Sequence, residues 1–210
     1  MFEGDREKYR EYIRILAKKA GCTIVGGSHH ENVNGTIMIA GCVMNKEGVE
    51  IGAYSKLRPY FVELKKVTPG TRLCELDING RKVIILICAD FWYSDLLQSV
   101  LTIPDIILIP SLSVSRKPGP EYSRSLWKHL AISRAYEFGV YVGISDWNEK
   151  SVLPGYRTCG VGGFADPTQT DPDKLFTPIS GEGISFFTPD FERLEAFRED
   201  RRMRGFYWKK

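Results

Sequence analysis

Cys88 stands at the end of the most hydrophobic run of the sequence, residues 83–87, where the chain turns towards a short predicted helix. A continuous apolar run is typical of a strand that is buried on both faces. Ligands bind at the carboxyl ends of strands in open α/β sheets, and a nucleophile on a sharp strand-to-helix turn has backbone N–H groups beside it. A free thiol has a pKa of about 8.5, so a reactive cysteine needs a base or a positive neighbour. Position alone leaves two interpretations open, a nucleophile and a buried structural cysteine.

Lys56 is the candidate positive neighbour, because it ends a predicted strand in the segment Gly-Ala-Tyr-Ser-Lys and is followed by Glu63. In isolation, a lysine after a strand is usually a solvated surface group. Glu63 likewise has an ordinary interpretation, an ion pair with Lys65 or Lys66 on a surface loop. The pair therefore needs support from the rest of the chain before it can be assigned to chemistry.

That support comes from five motifs that follow one another along the chain. They are Gly-x-Tyr-x-Lys at residues 52–56, Glu63 before Pro69-Gly70, Cys88-x-Asp90, Ile-Ile-x-x-Pro-Ser at residues 106–111, and Arg-Ala-x-Glu at residues 134–137. In this order and spacing they resemble the motifs of the nitrilase superfamily, the carbon–nitrogen hydrolases. Any one of them is a weak signal, but five in register are specific.

The resemblance implies an α/β fold, the four-layer α-β-β-α sandwich of the nitrilase type. It implies one carbon–nitrogen hydrolase domain over residues 1–210, with residues 188–210 as a C-terminal helix and tail, and a homodimer or higher homo-oligomer. The implied activity is hydrolysis of non-peptide C–N bonds in a small amide, nitrile or carbamoyl substrate, without a cofactor or metal.

The resemblance also assigns roles to individual residues. Cys88 matches the nucleophile that forms a thioester, and Lys56 matches the ammonium that stabilises the tetrahedral intermediate together with the N–H group of Ala89. Glu63 matches a second glutamate that positions the substrate and polarises the site. Trp92, with its aromatic neighbours, would wall an apolar substrate pocket, although aromatic residues after a strand more often belong to the core.

The family's principal proton-shuttling glutamate has no counterpart in this sequence. In the family it lies in a hydrophobic strand followed by Pro-Glu, upstream of the helix that here begins near Asp5. We therefore expect a fold that lacks the N-terminal βαβ unit. The expectation leaves three explanations open: a start codon set too late, a chain trimmed at its N-terminus, and a remnant of the fold that no longer catalyses and acts as a binding or scaffold protein.

Local signals predict the elements that position these residues. A helix is predicted between the cap residue Asp5 and the stop Gly21, and Asn79-Gly80 is the strongest short hairpin signal in the chain. Strands are predicted at residues 22–26, 36–44, 50–54, 72–76, 82–87, 106–109 and 140–145, and further helices near Ser94, at residues 122–138 and in the tail, where Phe191, Leu194 and Phe197 share a face. This alternation indicates an α/β domain.

Composition excludes several other classes of protein. The chain has 210 residues, 43% of them hydrophobic, which is ample for a core and excludes disorder, collagen-like repeats and coiled coil. The 29 Lys+Arg against 26 Asp+Glu give too weak a field for a general nucleic-acid binder. The five cysteines are scattered, with no C-x-x-C, and the N-terminus is charged, so we expect reduced thiols, a cytoplasmic location and neither a membrane span nor a zinc ribbon.

Two further interpretations are weaker. A papain-like hydrolase would need a histidine partner, and the sequence offers His29 and His30, in a segment that is predicted to be a turn-rich loop, and His129 on a helix. The basic residues of the tail suggest nucleic acid, but acidic residues alternate with them, which favours a solvated helix or a subunit contact.

Overall fold

A computed structural model of the chain describes residues 5–114, 119–148, 151–153, 156–179 and 184–209. The chain divides into two compact units. The first comprises residues 1–76 and 85–98, and the second comprises residues 77–84 and 99–210.

The first unit opens with helix α1, Arg6–Ala20, which the sequence predicts at both ends. The Asp5 side chain accepts a hydrogen bond from the Lys8 N–H group at 2.9 Å, and Gly21 ends the helix in the left-handed conformation that glycine adopts without strain. One face of α1 packs on the sheet of this unit through the buried residues Tyr9, Ile13, Ala17, Cys42 and Met44. The helix is therefore fixed by its caps and by one apolar stripe.

The sheet of the first unit is built around β3, Thr36–Met44. Strands β1, Ile24–Val25, β2, His29–Val33, and β4, Glu50–Ser55, each pair with it in antiparallel fashion. The prediction of a loop at His29 and His30 was wrong, because these residues pair with Ala40 and Ile39 as part of β2. Strand β4 leads directly to Lys56.

Three short helices complete the first unit. They are the 3₁₀ helix Phe61–Lys65, the 3₁₀ helix Cys88–Trp92 and the single helical turn α2, Asp95–Gln98. The first contains Glu63 and the second begins at Cys88, so this unit contains every residue that the sequence assigns to the site.

The second unit holds most of a six-stranded sheet with the order β12-β11-β8-β7-β6-β5. Its strands are β5 Cys74–Ile78, β6 Arg81–Ile85, β7 Ile106–Ser111, β8 Tyr141–Asp146, β11 Gly163–Ala165 and β12 Phe176–Pro178, with β9 Val152–Leu153 and β10 Tyr156–Arg157 forming a separate pair. Strands β7 and β8 are parallel. The predicted hairpin between β5 and β6 is confirmed, with φ of +53° at Asn79 and +77° at Gly80.

Two helices accompany this sheet, α3, Pro120–Phe138, and α4, Phe191–Met203, with a short 3₁₀ helix at Pro172–Lys174. The rings of Tyr136 on α3 and Phe197 on α4 meet edge to face, with centroids 5.5 Å apart. Of the apolar face that the sequence predicts on α4, Leu194 is fully buried. No helix within the described ranges is long and apolar enough to cross a membrane.

Candidate active site

Lys56 is fixed by backbone hydrogen bonds on both sides of its own residue. Its N–H group donates to the Ile39 carbonyl oxygen at 2.8 Å, and its carbonyl oxygen accepts from the Gly70 N–H group at 2.7 Å. A Cβ atom on Gly70 would lie 2.2 Å from the Ser55 hydroxyl oxygen, so a larger residue at this position would have to displace the Ser55 side chain. The Pro-Gly motif thus has a local reason, because it lets the chain return against the end of β4.

The Lys56 side chain is buried, with 4% of its surface exposed, and it meets Glu63. Its Nζ atom donates to Glu63 Oε2 at 2.5 Å, and the same carboxylate oxygen accepts from the Tyr60 N–H group at 2.6 Å. Glu63 therefore contacts the predicted catalytic lysine rather than a neighbouring surface lysine. Among the described residues, Glu63 is the hydrogen-bond acceptor of Nζ, and an ammonium group carries three donors.

Cys88 lies on a strained turn at the end of a buried run. Residues 83–87 are all at most 3% exposed, and Cys88, which follows them, has φ of +46°. Left-handed backbone is uncommon for a residue with a Cβ atom, and it persists where surrounding contacts impose it. Cys88 is partly exposed, which a nucleophilic role would require, and none of the five cysteines, all within the described ranges, is in a disulfide bond.

Asp90 joins the cysteine turn to the lysine segment. Its side chain is fully buried and accepts hydrogen bonds from the N–H groups of Ile87 at 3.1 Å, Leu57 at 3.1 Å and Arg58 at 2.7 Å. Burial raises the pKa of this carboxyl, while the three N–H groups and the charge of Lys56 act in the opposite direction. One carboxylate therefore holds the residue before Cys88 and the two residues after Lys56.

The residues around the nucleophile divide between core and surface. Phe91 is fully buried, whereas Trp92 is 40% exposed and its neighbour Tyr93 is 53% exposed. Ala89 is buried in the first turn of the 3₁₀ helix, where backbone N–H groups have no partner within the helix. Core packing thus accounts for Phe91 and leaves Trp92 accessible.

The histidines take part in other contacts. The His29 ring packs on Tyr9, with centroids 4.1 Å apart, and its Nε2 atom lies 3.7 Å from the Glu31 carboxylate. Burial lowers the pKa of His29. The Nδ1 atom of His129 lies 2.7 Å from the Ser125 carbonyl oxygen on α3. Within the described ranges, no group of three or more His, Cys, Asp or Glu residues could hold a metal ion.

Two features of the site were not predicted from the sequence. The role of Asp90 was visible only as the second member of a Cys-x-Asp motif, because two of its three partners are main-chain N–H groups more than thirty positions away. The contact of Arg58 with Asp95 had no sequence signal at all.

Both the sequence and the structure of the chain are similar to known proteins. A sequence profile of a family described as carbon-nitrogen hydrolase matches residues 6–155. No curated protein matches the chain by sequence. Nit3 of Saccharomyces cerevisiae, a member of branch 10 of the nitrilase superfamily, is a structural neighbour with 24% identity and a TM-score of 0.77, covering 92% of this chain and 69% of Nit3.

Two further neighbours show the same fold at lower identity. A carbon-nitrogen hydrolase from Helicobacter pylori G27 has 19% identity and a TM-score of 0.74, with 97% of this chain and 73% of that chain covered. A mutant of the amidase from Nesterenkonia sp. AN1, in complex with butyramide, has 18% identity and a TM-score of 0.65, with 75% of this chain covered. The match spans 59% of that amidase. These neighbours confirm the predicted nitrilase-type fold class.

Proposed function

The chain belongs to the carbon-nitrogen hydrolase family, and from this premise we propose that it hydrolyses a non-peptide C–N bond in a small amide, nitrile or carbamoyl compound. In the proposed reaction on an amide, water is consumed and a carboxylic acid and ammonia or an amine are released. The family match and the amidase among the structural neighbours support this reaction class.

In the proposed mechanism Cys88 attacks the substrate carbon as a thiolate. The carbonyl oxygen becomes an oxyanion, which the Lys56 ammonium and the Ala89 N–H group stabilise. Collapse of this intermediate expels the amine and leaves a thioester on Cys88, and water then hydrolyses the thioester to the acid and the thiol. Glu63 holds the Lys56 ammonium in place, and the mechanism assigns the proton transfers to no residue of this chain.

One observation carries this proposal, the state of the Lys56 ammonium. It is buried in protein, it is held by a single carboxylate among the described residues, and it retains two donors. Preorganised donors in a site with little water stabilise a developing oxyanion far more than donors in bulk water do. A buried ammonium with unused donors is what this chemistry requires.

The remaining expectations belong to the same proposal. We propose a small-molecule substrate with Trp92 at its apolar part, no cofactor, no nucleic-acid or membrane partner, a cytoplasmic location and a homo-oligomer. The description of the chain as one hydrolase domain over residues 1–210 also stays a prediction.

The test uses the full chain and a panel of small amides, nitriles and carbamoyl compounds that includes butyramide, with release of ammonia or amine as the readout. The wild type is expected to turn over at least one class, and Cys88→Ala is expected to abolish the turnover. Cys22→Ala, which removes an exposed thiol in the same unit, is the matched control and should leave the rate unchanged. Turnover that survives Cys88→Ala would contradict the proposal.

Thiol labelling gives a second readout that does not depend on knowing the substrate. Burial raises the pKa of Cys42 and of Cys74 to about 11, so both should stay protonated and slow to alkylate at neutral pH. Cys88 is expected to react with iodoacetamide faster than these two and faster than Cys22 or Cys159. A Cys88 thiol that reacts no faster than Cys22 would instead favour the binding or scaffold alternative.

A further inference from the structure

Arg58 connects the lysine segment to the nucleophile segment in two separate ways. Its backbone N–H group donates to Asp90 Oδ1 at 2.7 Å. Its guanidinium group pairs with the Asp95 carboxylate, and its Cζ atom lies 4.5 Å from the centroid of the Tyr93 ring. One residue thus contacts both the 3₁₀ helix Cys88–Trp92 and the first residue of α2.

These contacts lie on both sides of the turn that must hold the thiol. The fully buried Asp90 carboxylate fixes the inner side of the segment, where every partner is a backbone N–H group. The Arg58 guanidinium fixes the outer side, at side chains that are 34% exposed for Arg58 and 60% exposed for Asp95. Since Cys88 has left-handed backbone, its conformation depends on such external contacts.

We propose that Arg58 is a positioning residue for Cys88, whose guanidinium clamps the outer side of residues 88–95 and so keeps the thiol at Lys56. This inference rests on the proposed function, because that function gives Cys88 and Lys56 their roles. Exposed ion pairs contribute little to stability, so the clamp acts on the geometry of the turn more than on the stability of the fold.

A second explanation of any effect at Arg58 is its charge alone, and the partner Asp95 separates the two explanations. Removing the guanidinium charge would raise the thiol pKa through the field, whereas removing the Asp95 charge would lower it. A clamp predicts the same direction for both changes, because either one releases the turn and moves the thiol away from Lys56. The other charged groups of this region, Lys56, Glu63 and Asp90, are the same in all variants.

The experiment measures alkylation of Cys88 by iodoacetamide in the full-length chain, by mass spectrometry of the Cys88 peptide, across the pH range in which a thiol titrates. Arg58→Gln and Asp95→Asn are each expected to lower the rate at neutral pH about three- to fivefold, the equivalent of one exposed ion pair. Both should move the midpoint of the rate profile to higher pH. Arg58→Lys keeps the positive charge but loses the planar guanidinium group, so its alkylation profile should resemble that of Arg58→Gln.

The double variant Arg58→Gln/Asp95→Asn should be no slower than either single variant, because both remove one clamp. Arg14→Gln is the matched control, since it removes another partly exposed pair, Arg14–Glu11, in the same unit, and it should leave the Cys88 profile unchanged. The thermal midpoint of each variant reports whether the fold is retained.

Opposite shifts in Arg58→Gln and Asp95→Asn would overturn the clamp in favour of a field effect, and unchanged profiles in both folded variants would overturn it outright. Failure of the proposed function appears elsewhere, in a wild-type Cys88 that reacts no faster than Cys22. The comparison between variants still stands in that case, because every rate is measured on the same thiol.

Discussion

Among the described residues, each unit of the molecule contains a well-buried ion pair of a lysine or an arginine, and the two cations differ in how many of their hydrogen-bond donors have a protein partner. Lys56 and Glu63 are 4% and 23% exposed, and Arg198 and Asp105 are 7% and 13% exposed. Arg198 donates to the carbonyl oxygens of Gly139 and Pro104 as well as to Asp105. Lys56 donates to one carboxylate among the described residues.

Burial and pairing alone therefore do not distinguish the proposed oxyanion-binding cation from a structural one. The guanidinium of Arg198 joins the chain before β7 to the end of α3, and its donors are occupied by backbone and carboxylate oxygens. That is the pattern of a structural contact, since buried polar groups are ordinarily satisfied within the protein. Lys56 departs from this pattern, and the unused donors are what an incoming oxyanion can occupy.

The largest expected effect, and the strongest test of this difference between the two cations, is that of Lys56→Met. If the two free donors serve the oxyanion, turnover of the substrate found in the amide and nitrile panel should fall about a thousandfold, at the upper end of what removal of one such donor costs. The unfolding free energy should change by about 1 kcal/mol or less, because Glu63 stays partly exposed and keeps its hydrogen bond from Tyr60. The measurements are kcat/KM and urea unfolding.

A large loss of stability with the activity retained would reverse the interpretation of the pair. Lys66→Met is the control for the loss of a lysine near the site, since Lys66 is exposed and follows the 3₁₀ helix that contains Glu63. It should leave both the turnover and the stability unchanged.

Arg198→Met tests the other half of the comparison. It breaks a buried pair and leaves Asp105 with the backbone hydrogen bond from Lys82. We expect a loss of about 3 kcal/mol in the free energy of unfolding, because an uncompensated buried charge remains. Urea unfolding measures this loss, and the alkylation rate of Cys88 in the folded variant should match that of the wild type.

Arg204→Met provides the exposed control for that variant. Its pair with Asp200 leaves the two side chains 67% and 52% exposed, so its removal should cost less than about 0.5 kcal/mol. If Arg198→Met cost no more than Arg204→Met, the Arg198 pair could not be the structural member of the comparison.

How far the sequence predicts the fold depends on whether the signals are local. The ends of α1 and the hairpin at Asn79-Gly80 are set by side chains within three residues of each boundary, and both were predicted. Strand β2 was missed because His-His-Glu-Asn has no apolar alternation. Its conformation comes from the backbone of β3, and Glu31 points inward at 7% exposure. An edge strand of this kind is defined by its partner rather than by its own residues.

The residues of the site likewise divide into those that a sequence signal predicts and those that only the structure reveals. Lys56, Glu63 and Cys88 belong to motifs that can be recognised by residue type and order, and the structure brings the first two into contact. The hydrogen bonds that hold the Cys88 turn could not be predicted, because Asp90 accepts from the N–H groups of Leu57 and Arg58 and any residue but proline supplies such a group. Motifs identify the candidate reacting groups, and tertiary structure alone shows what positions them.

A smaller effect than that of Arg198→Met is expected at Asp146, a partly buried carboxyl in the same unit as Arg198. It accepts hydrogen bonds from the N–H groups of Ser113 at 2.9 Å and Val161 at 2.8 Å. Burial raises its pKa, and these hydrogen bonds oppose the rise. A carboxyl with a raised pKa binds its proton more tightly in the folded state, so it favours folding at low pH, and this contribution is lost as pH rises from the unfolded pKa through the folded one.

Asp146→Asn removes that titration, and because its amide nitrogen faces N–H donors the variant should lose a further 1 to 2 kcal/mol, roughly, that does not depend on pH. The wild type should therefore exceed the variant in unfolding free energy by most at acid pH, and the difference should shrink as pH rises before it levels off. Urea unfolding of both proteins from acid to neutral pH measures this slope. A difference that widens with pH would mean that the hydrogen bonds outweigh burial, which would make Asp146 a stabilising anion like the carboxylate that pairs with Arg198.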